Sequence, residues 1–136
     1  MNDQGLLDTN TLILAERLTD PTVLPERPLI SAITLAELSA GPLITDDEAV
    51  RAVRQRHVQR AEADFDPLPF DADCARAFGT VAAALRQAGR KTAARRYDAM
   101  IAATAVANNL PVYTCNPDDF RDIPGLTVVP VAIPDV

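Results

Sequence analysis

The chain has no tryptophan, one histidine, two cysteines and one lysine, and aromatic residues fill only 4% of its 136 positions. Each scarcity excludes something. A single histidine, His57, rules out a multi-histidine zinc centre, and its setting in "RQRHVQR" predicts a solvated helix face. Cys74 and Cys115 lie far apart and form no CxxC pair, which reads as two reduced, buried thiols rather than a disulfide framework. No apolar run approaches the length of a membrane span. The opening "MNDQGLLDTN" lacks the basic start and apolar middle of a secretory signal. A cytoplasmic protein without membrane association is therefore expected. The net charge of −6 argues against a generally basic nucleic-acid binder but leaves room for a local basic patch.

What is present is ordinary for a globular chain, with 48% apolar and 24% charged residues. The length suits one core, so residues 1–136 are expected to form a single domain. "GLLD" at 5–8 predicts a buried strand ending at Asp8, and "TNTLILAERL" a helix after it that Thr9 or Asn10 can cap. "LISAI" at 29–33 predicts a second strand, leading into a short helix "TLAELSA" that Gly41 and Pro42 stop. Longer helices are expected over 45–65, over 70–89 and from Thr92 to about Asn109. "PVYTC" at 111–115 and "LTVVPV" at 126–131 predict two more strands, the last placed at an edge or ended by Pro130. Strands alternating with helices predict an α/β fold, a mainly parallel central sheet flanked by helices. In such sheets ligands bind beyond the carboxyl ends of the strands.

Three acids stand out by their neighbours. Most carboxylates lie in polar runs and read as solvated, but Asp8, Glu37 and Asp98 sit in apolar frames, "GLLDTNTLI", "AITLAELSA" and "YDAMIAATA". On a helix Asp98 shares a face with Ile101, Ala102 and Ala105. A carboxylate there is costly unless paired or bound to a metal. Each acid has a plain structural alternative. Asp8 can cap the helix that follows it, Glu37 can pair with a distant arginine, and Asp98 can pair with Arg95 or another basic residue. Gathered together, like charges need a cation, and an all-oxygen donor set favours Mg²⁺ or Mn²⁺.

These motifs resemble those of the PIN-domain ribonucleases, of the VapC type found in bacterial toxin–antitoxin pairs, over nearly the whole chain. "LLDTNTLI" is similar to the family's opening strand and first acid. "SAITLAELSAG" is similar to the second motif, and "RRYDAMIAATAVANNLPVYTCNPDDF" to the third and fourth together. The resemblance implies a single PIN-like domain and four catalytic, metal-binding acids: Asp8, Glu37, Asp98 and Asp119. Asp118 is the neighbouring alternative for the fourth, read instead as a cap on the local turn. It further implies Mg²⁺- or Mn²⁺-dependent endonucleolytic cleavage of RNA, a cognate antitoxin whose tail crosses the site, and commonly a homodimer. In this scheme Asp8 and Asp98 are the principal ligands, Glu37 binds directly or through water, and Asp119 orients water or supports a second ion. Arg86, Arg90, Lys91, Arg95 and Arg96 form the densest basic stretch. Arg90, Lys91, Arg95 and Arg96 are the candidate contacts to RNA phosphates, with Asn116 positioning water or phosphate.

Two other readings carry less. A small-molecule metal-dependent phosphohydrolase of the haloacid-dehalogenase type wants an aspartate where Asn10 stands, and a phosphorylated receiver domain wants a late lysine, whereas Lys91 precedes a helix. A PIN-fold scaffold that only binds protein does not need Asp8, Glu37 and Asp98 intact.

Overall fold

Leu6 and Leu7 are consecutive and both are buried, because the strand that carries them has helices on both faces. In the computed structural model, which describes residues 3–91 and 95–133, this strand is β1 (Gln4–Leu7). It is followed by α1 (Thr9–Leu14), β2 (Arg27–Leu29), α2 (Ala32–Ala40), α3 (Glu48–Asp64), α4 (Ala72–Gln87), α5 (Arg96–Ala107), β3 (Val112–Thr114) and β4 (Val128–Pro130). All strand pairs are parallel and the order is β2-β1-β3-β4. The chain winds from β1 to one side and then returns to the other. The carboxyl ends of β1 and β3 therefore flank the switch point at which open α/β sheets form their crevice.

Side chains alternate across the sheet. Leu6 and Val112 face a core completed by Val81 and Leu85 of α4, Phe120, and the alanine-rich α5. Leu7 faces the second core with Ile30, Leu38 and Ala61, and Tyr113 packs on it. Tyr113 also lies over Gly5, where any Cβ would collide with the ring. In α5 five consecutive residues, Ile101 to Ala105, are buried. The burial therefore runs all round the helix rather than along the one face expected for Ile101, Ala102 and Ala105, and small side chains let neighbours approach from every side.

The predicted elements are present, with shifted ends. The second strand occupies 27–29 rather than 29–33, because the Ser31 hydroxyl accepts a hydrogen bond from the Thr34 N–H and starts α2 at residue 32. The first helix tightens into a 3₁₀ turn at Ala15–Arg17. Residues 92–94, where the sequence places the start of the last helix, lie outside the described residues. Of the two thiols expected to be buried, the structure buries Cys74 but leaves Cys115 partly exposed. Pro130 is in the edge strand β4 as expected, and the opposite edge strand, β2, also carries a proline, Pro28. Neighbouring residues Arg27 and Val131 donate inward to Asp3 and Thr114, so both prolines stand where the missing N–H faces away from the sheet.

Candidate active site

Asp8 stands just past β1 at the switch point, only 4% exposed. It caps α1: its Oδ1 accepts from the Thr11 N–H at 3.2 Å. Its Oδ2 accepts from the Thr114 hydroxyl at 2.9 Å, at the end of β3. Burial pushes the Asp8 carboxyl up, and the bonds from Thr11 and Thr114 work against that rise. Thr114 in turn accepts from the Asn116 N–H, and Thr11 from the Cys115 N–H, both at 2.9 Å. Two threonines thus weld the start of α1 to the end of β3.

Glu37 projects from α2. Its partner is not an arginine but the Thr9 hydroxyl, which donates to Oε1 at 2.7 Å. Thr9 has one hydroxyl hydrogen, so in its 3.1 Å contact with Thr34 it accepts and Thr34 donates. Burial raises the Glu37 pKa, the Thr9 bond opposes this, and the charge of Asp8 adds to the rise.

Asp98 lies in the first turn of α5, where the helix dipole favours an acid. Its pKa is nevertheless raised to about 6, first by burial and then by the charges of Asp119, Asp8 and Glu37, with Arg95 opposing. The other three acids of the sequence scheme therefore bear electrostatically on Asp98. Arg95 does not pair with Asp98; its Nη1 bonds Oδ1 of Asp119 at 2.9 Å. Asp119 sits in the 3₁₀ turn Pro117–Phe120, half-buried, anchored by the buried Phe120 beside it. Asp118 is exposed and makes no side-chain cap to that turn, contrary to the capping role expected for it. Asn116 is exposed, with its Nδ2 near the Cys115 sulfur.

The basic stretch divides. Arg90 is held internally: its side chain is 8% exposed, and its guanidinium donates to the carbonyls of Asp118 at 2.7 Å and Arg121 at 3.2 Å. It braces the turn that carries Asp119 and leaves little surface for RNA. Arg86, Lys91 and Arg96 are exposed. His57, expected on a solvated face, is half-buried. With Arg54, Ile13, Leu38 and Ile44 it walls a cavity reaching Glu37, and burial lowers its pKa.

The residues that sequence reasoning missed are Thr9, Thr11, Thr34 and Thr114. A threonine at a strand end or on a buried helix face is the only sequence signal for them, and it is shared with ordinary core threonines. Among the described residues no buried side-chain nitrogen or oxygen lacks a partner, so the network closes.

Hard carboxylate oxygens in mutual repulsion suit a hard divalent cation. No three described acidic, histidine or cysteine side chains converge as a ready coordination cluster.

A parallel sheet with acidic side chains at its switch point defines an open α/β fold with a candidate site beyond its strand ends. The comparisons make it specific. The PIN domain family model matches residues 6–126. The chain is 36% identical over 129 residues to Ribonuclease VapC5 of Mycobacterium tuberculosis, covering 93% of each. It is 29% identical to Ribonuclease VapC of Rickettsia bellii, covering 96% of this chain and 98% of that one. The crystal structure of VapBC-5, a member of the VapBC family of toxin–antitoxin systems from Mycobacterium tuberculosis, is similar at a TM-score of 0.80 and 32% identity, covering 96% and 100%. DNA-bound VapBC from Salmonella typhimurium gives 0.71 and 28%, covering 92% and 96%. The chain belongs to the PIN-domain family.

Proposed function

We propose that this chain is a metal-dependent endoribonuclease toxin, neutralised by a cognate antitoxin. The observation that carries the reading is the placement of the acids at the switch point: Asp8 buried past β1 and bonded to Thr114 at the end of β3, Glu37 bonded to Thr9, and Asp98 with a carboxyl raised to about 6, first by burial and then by the charges of Asp119, Asp8 and Glu37. Carboxylates held in mutual repulsion in a crevice mark a candidate functional site, and a cation would relieve that repulsion. Relatives named ribonuclease, and similar structures described as toxin–antitoxin complexes, supply the substrate class and the partner.

In this reading Asp8 and Asp98 are the principal ligands of Mg²⁺ or Mn²⁺, and Glu37 binds directly or through water. When bound, the ion supplies a water activated near neutral pH and charge stabilisation at phosphorus. The protein supplies position. Thr114 and Thr11 fix both oxygens of Asp8, and Thr9 fixes Glu37. Asp119, rather than the exposed Asp118, is the fourth acid; it orients water or supports a second ion. Lys91 and Arg96 offer exposed charge to RNA phosphates, with Asn116 at the crevice mouth. Arg90 acts by holding the Asp119 turn. The reading includes a single domain over 1–136, a cytoplasmic setting and a homodimer. No described helix is long and apolar enough to cross a membrane.

The test is RNA cleavage with Mg²⁺ or Mn²⁺, in excess EDTA, and by Asp98→Asn. Cleavage that requires the metal and is lost in the variant is expected. Full cleavage in EDTA overturns the metal role, and full cleavage by Asp98→Asn overturns the site.

A further inference from the structure

The metal-free chain already holds one cation against its acids. Arg95 bonds Asp119 at 2.9 Å, and the two side chains are 33% and 37% exposed. Arg95 sits at the N-cap position of α5, where its guanidinium, which has donors only, cannot cap the helix N–H groups. Its guanidinium instead reaches 24 residues along the chain to the site's fourth acid. It is also the one charge that eases the repulsion on Asp98. Arg90 cannot exchange partners in the same way, because it is buried against two carbonyls. Among the described residues of the basic stretch, Arg95 alone is both bonded to a site carboxylate and open enough to leave it.

We propose that Arg95 is a resident counter-ion of the crevice: it occupies Asp119 in the metal-free chain, competes with a divalent cation for that carboxylate, and turns to an RNA phosphate once the cation has taken it. The inference rests on the nuclease reading above. A guanidinium fork fits carboxylate and phosphate equally well. With RNA present the exchange swaps one anion for another. It also links the two binding events, since cation entry frees the group that grips the substrate.

The test is Mn²⁺ binding by titration calorimetry without RNA, on wild type, Arg95→Gln and Arg76→Gln. Arg76 pairs with the exposed Asp73 on α4 and controls for net charge. Arg95 is partly exposed and fills no core, so Arg95→Gln should fold. A half-exposed pair predicts Mn²⁺ binding tighter by about two- to fivefold in Arg95→Gln, with Arg76→Gln unchanged. With Mn²⁺ present and cleavage suppressed by Glu37→Gln, adding Arg95→Gln should weaken RNA binding and flatten its salt dependence by about one unit of slope. Wild type that binds Mn²⁺ and cuts RNA, beside Arg95→Gln with unchanged or weaker Mn²⁺ affinity, overturns the counter-ion assignment alone. Equal tightening in Arg76→Gln overturns it too, as does an unchanged salt slope. Wild type that neither binds Mn²⁺ nor cuts RNA removes the nuclease reading with it.

Discussion

Thr114 donates its hydroxyl hydrogen to Oδ2 of Asp8 at 2.9 Å, joining residues 106 apart in sequence. The bond ties the carboxyl end of β3 to that of β1, the two strand ends that form the crevice. It fixes the carboxylate that the fold buries most deeply among the four acids.

Thr114→Val keeps the shape and removes both the hydrogen given to Asp8 and the oxygen that receives the Asn116 N–H. A buried acceptor and donor left unmade cost about 1–3 kcal/mol. Partners behind metal ligands typically cost about 10–100-fold in metal affinity when removed. The variant should melt earlier and bind Mn²⁺ more weakly, while Thr114→Ser retains both properties. Calorimetry showing wild-type Mn²⁺ affinity in Thr114→Val would remove the bond from any functional role.

The raised Asp98 pKa has a definite sign. Between about 4, where the unfolded carboxyl titrates, and about 6, where the folded one does, the native state holds the extra proton. This group therefore favours folding at low pH, and that contribution is lost as pH rises through 6, on the order of 1–3 kcal/mol. Asp8 and Glu37 are raised too and push in the same direction. In EDTA at pH 7, Asp98→Asn should melt at or above wild type. Mg²⁺ should stabilise wild type more than the variant, and its affinity should fall as pH drops through 6. Thermal melts in which the variant is clearly less stable in EDTA, with an unchanged response to Mg²⁺, would make Asp98 structural.

Arg90 and the exposed basic residues should separate cleanly. Arg90→Gln breaks two charge-assisted bonds to carbonyls and should destabilise the chain by about 1.5–3 kcal/mol. Its RNA salt slope should hardly change. Lys91→Gln and Arg96→Gln should leave the melt unchanged and lower the slope by about one unit each. Urea unfolding and salt-dependent RNA binding read the two effects independently. The reverse pattern would place the RNA on Arg90.

The sequence shows Asp8, Glu37 and Asp98 because an acid in an apolar frame is anomalous wherever it lies in space, whereas Asp119, in the polar run "NPDDF", is reached only through the family resemblance. Strand and helix order are visible for the same local reason. Sheet order is not: β2 and β3 flank β1 only through pairings that no local pattern records. Arg90 shows the limit sharply. In the sequence it is one of a run of cations, and only the turn 28 to 31 residues further on gives it an internal role. His57 is the converse, a residue in a polar run that its helix turns toward a cavity. The threonines are invisible because their partners come from elsewhere: an uncharged hydroxyl in an apolar setting raises no alarm until a carboxylate is found beside it.

The prolines in the two edge strands bear on assembly. In β2 the one position facing away from the sheet is Pro28, and in β4 Pro130 takes the last such place. A foreign strand laid along either border finds donors missing where its ladder needs them. Just past β2 the chain fills the border itself, since Leu68 pairs in parallel with Ser31 through bonds to Ile30 and Ala32, so the prolines and this bridge together blunt the sheet's edges against pairing with another strand.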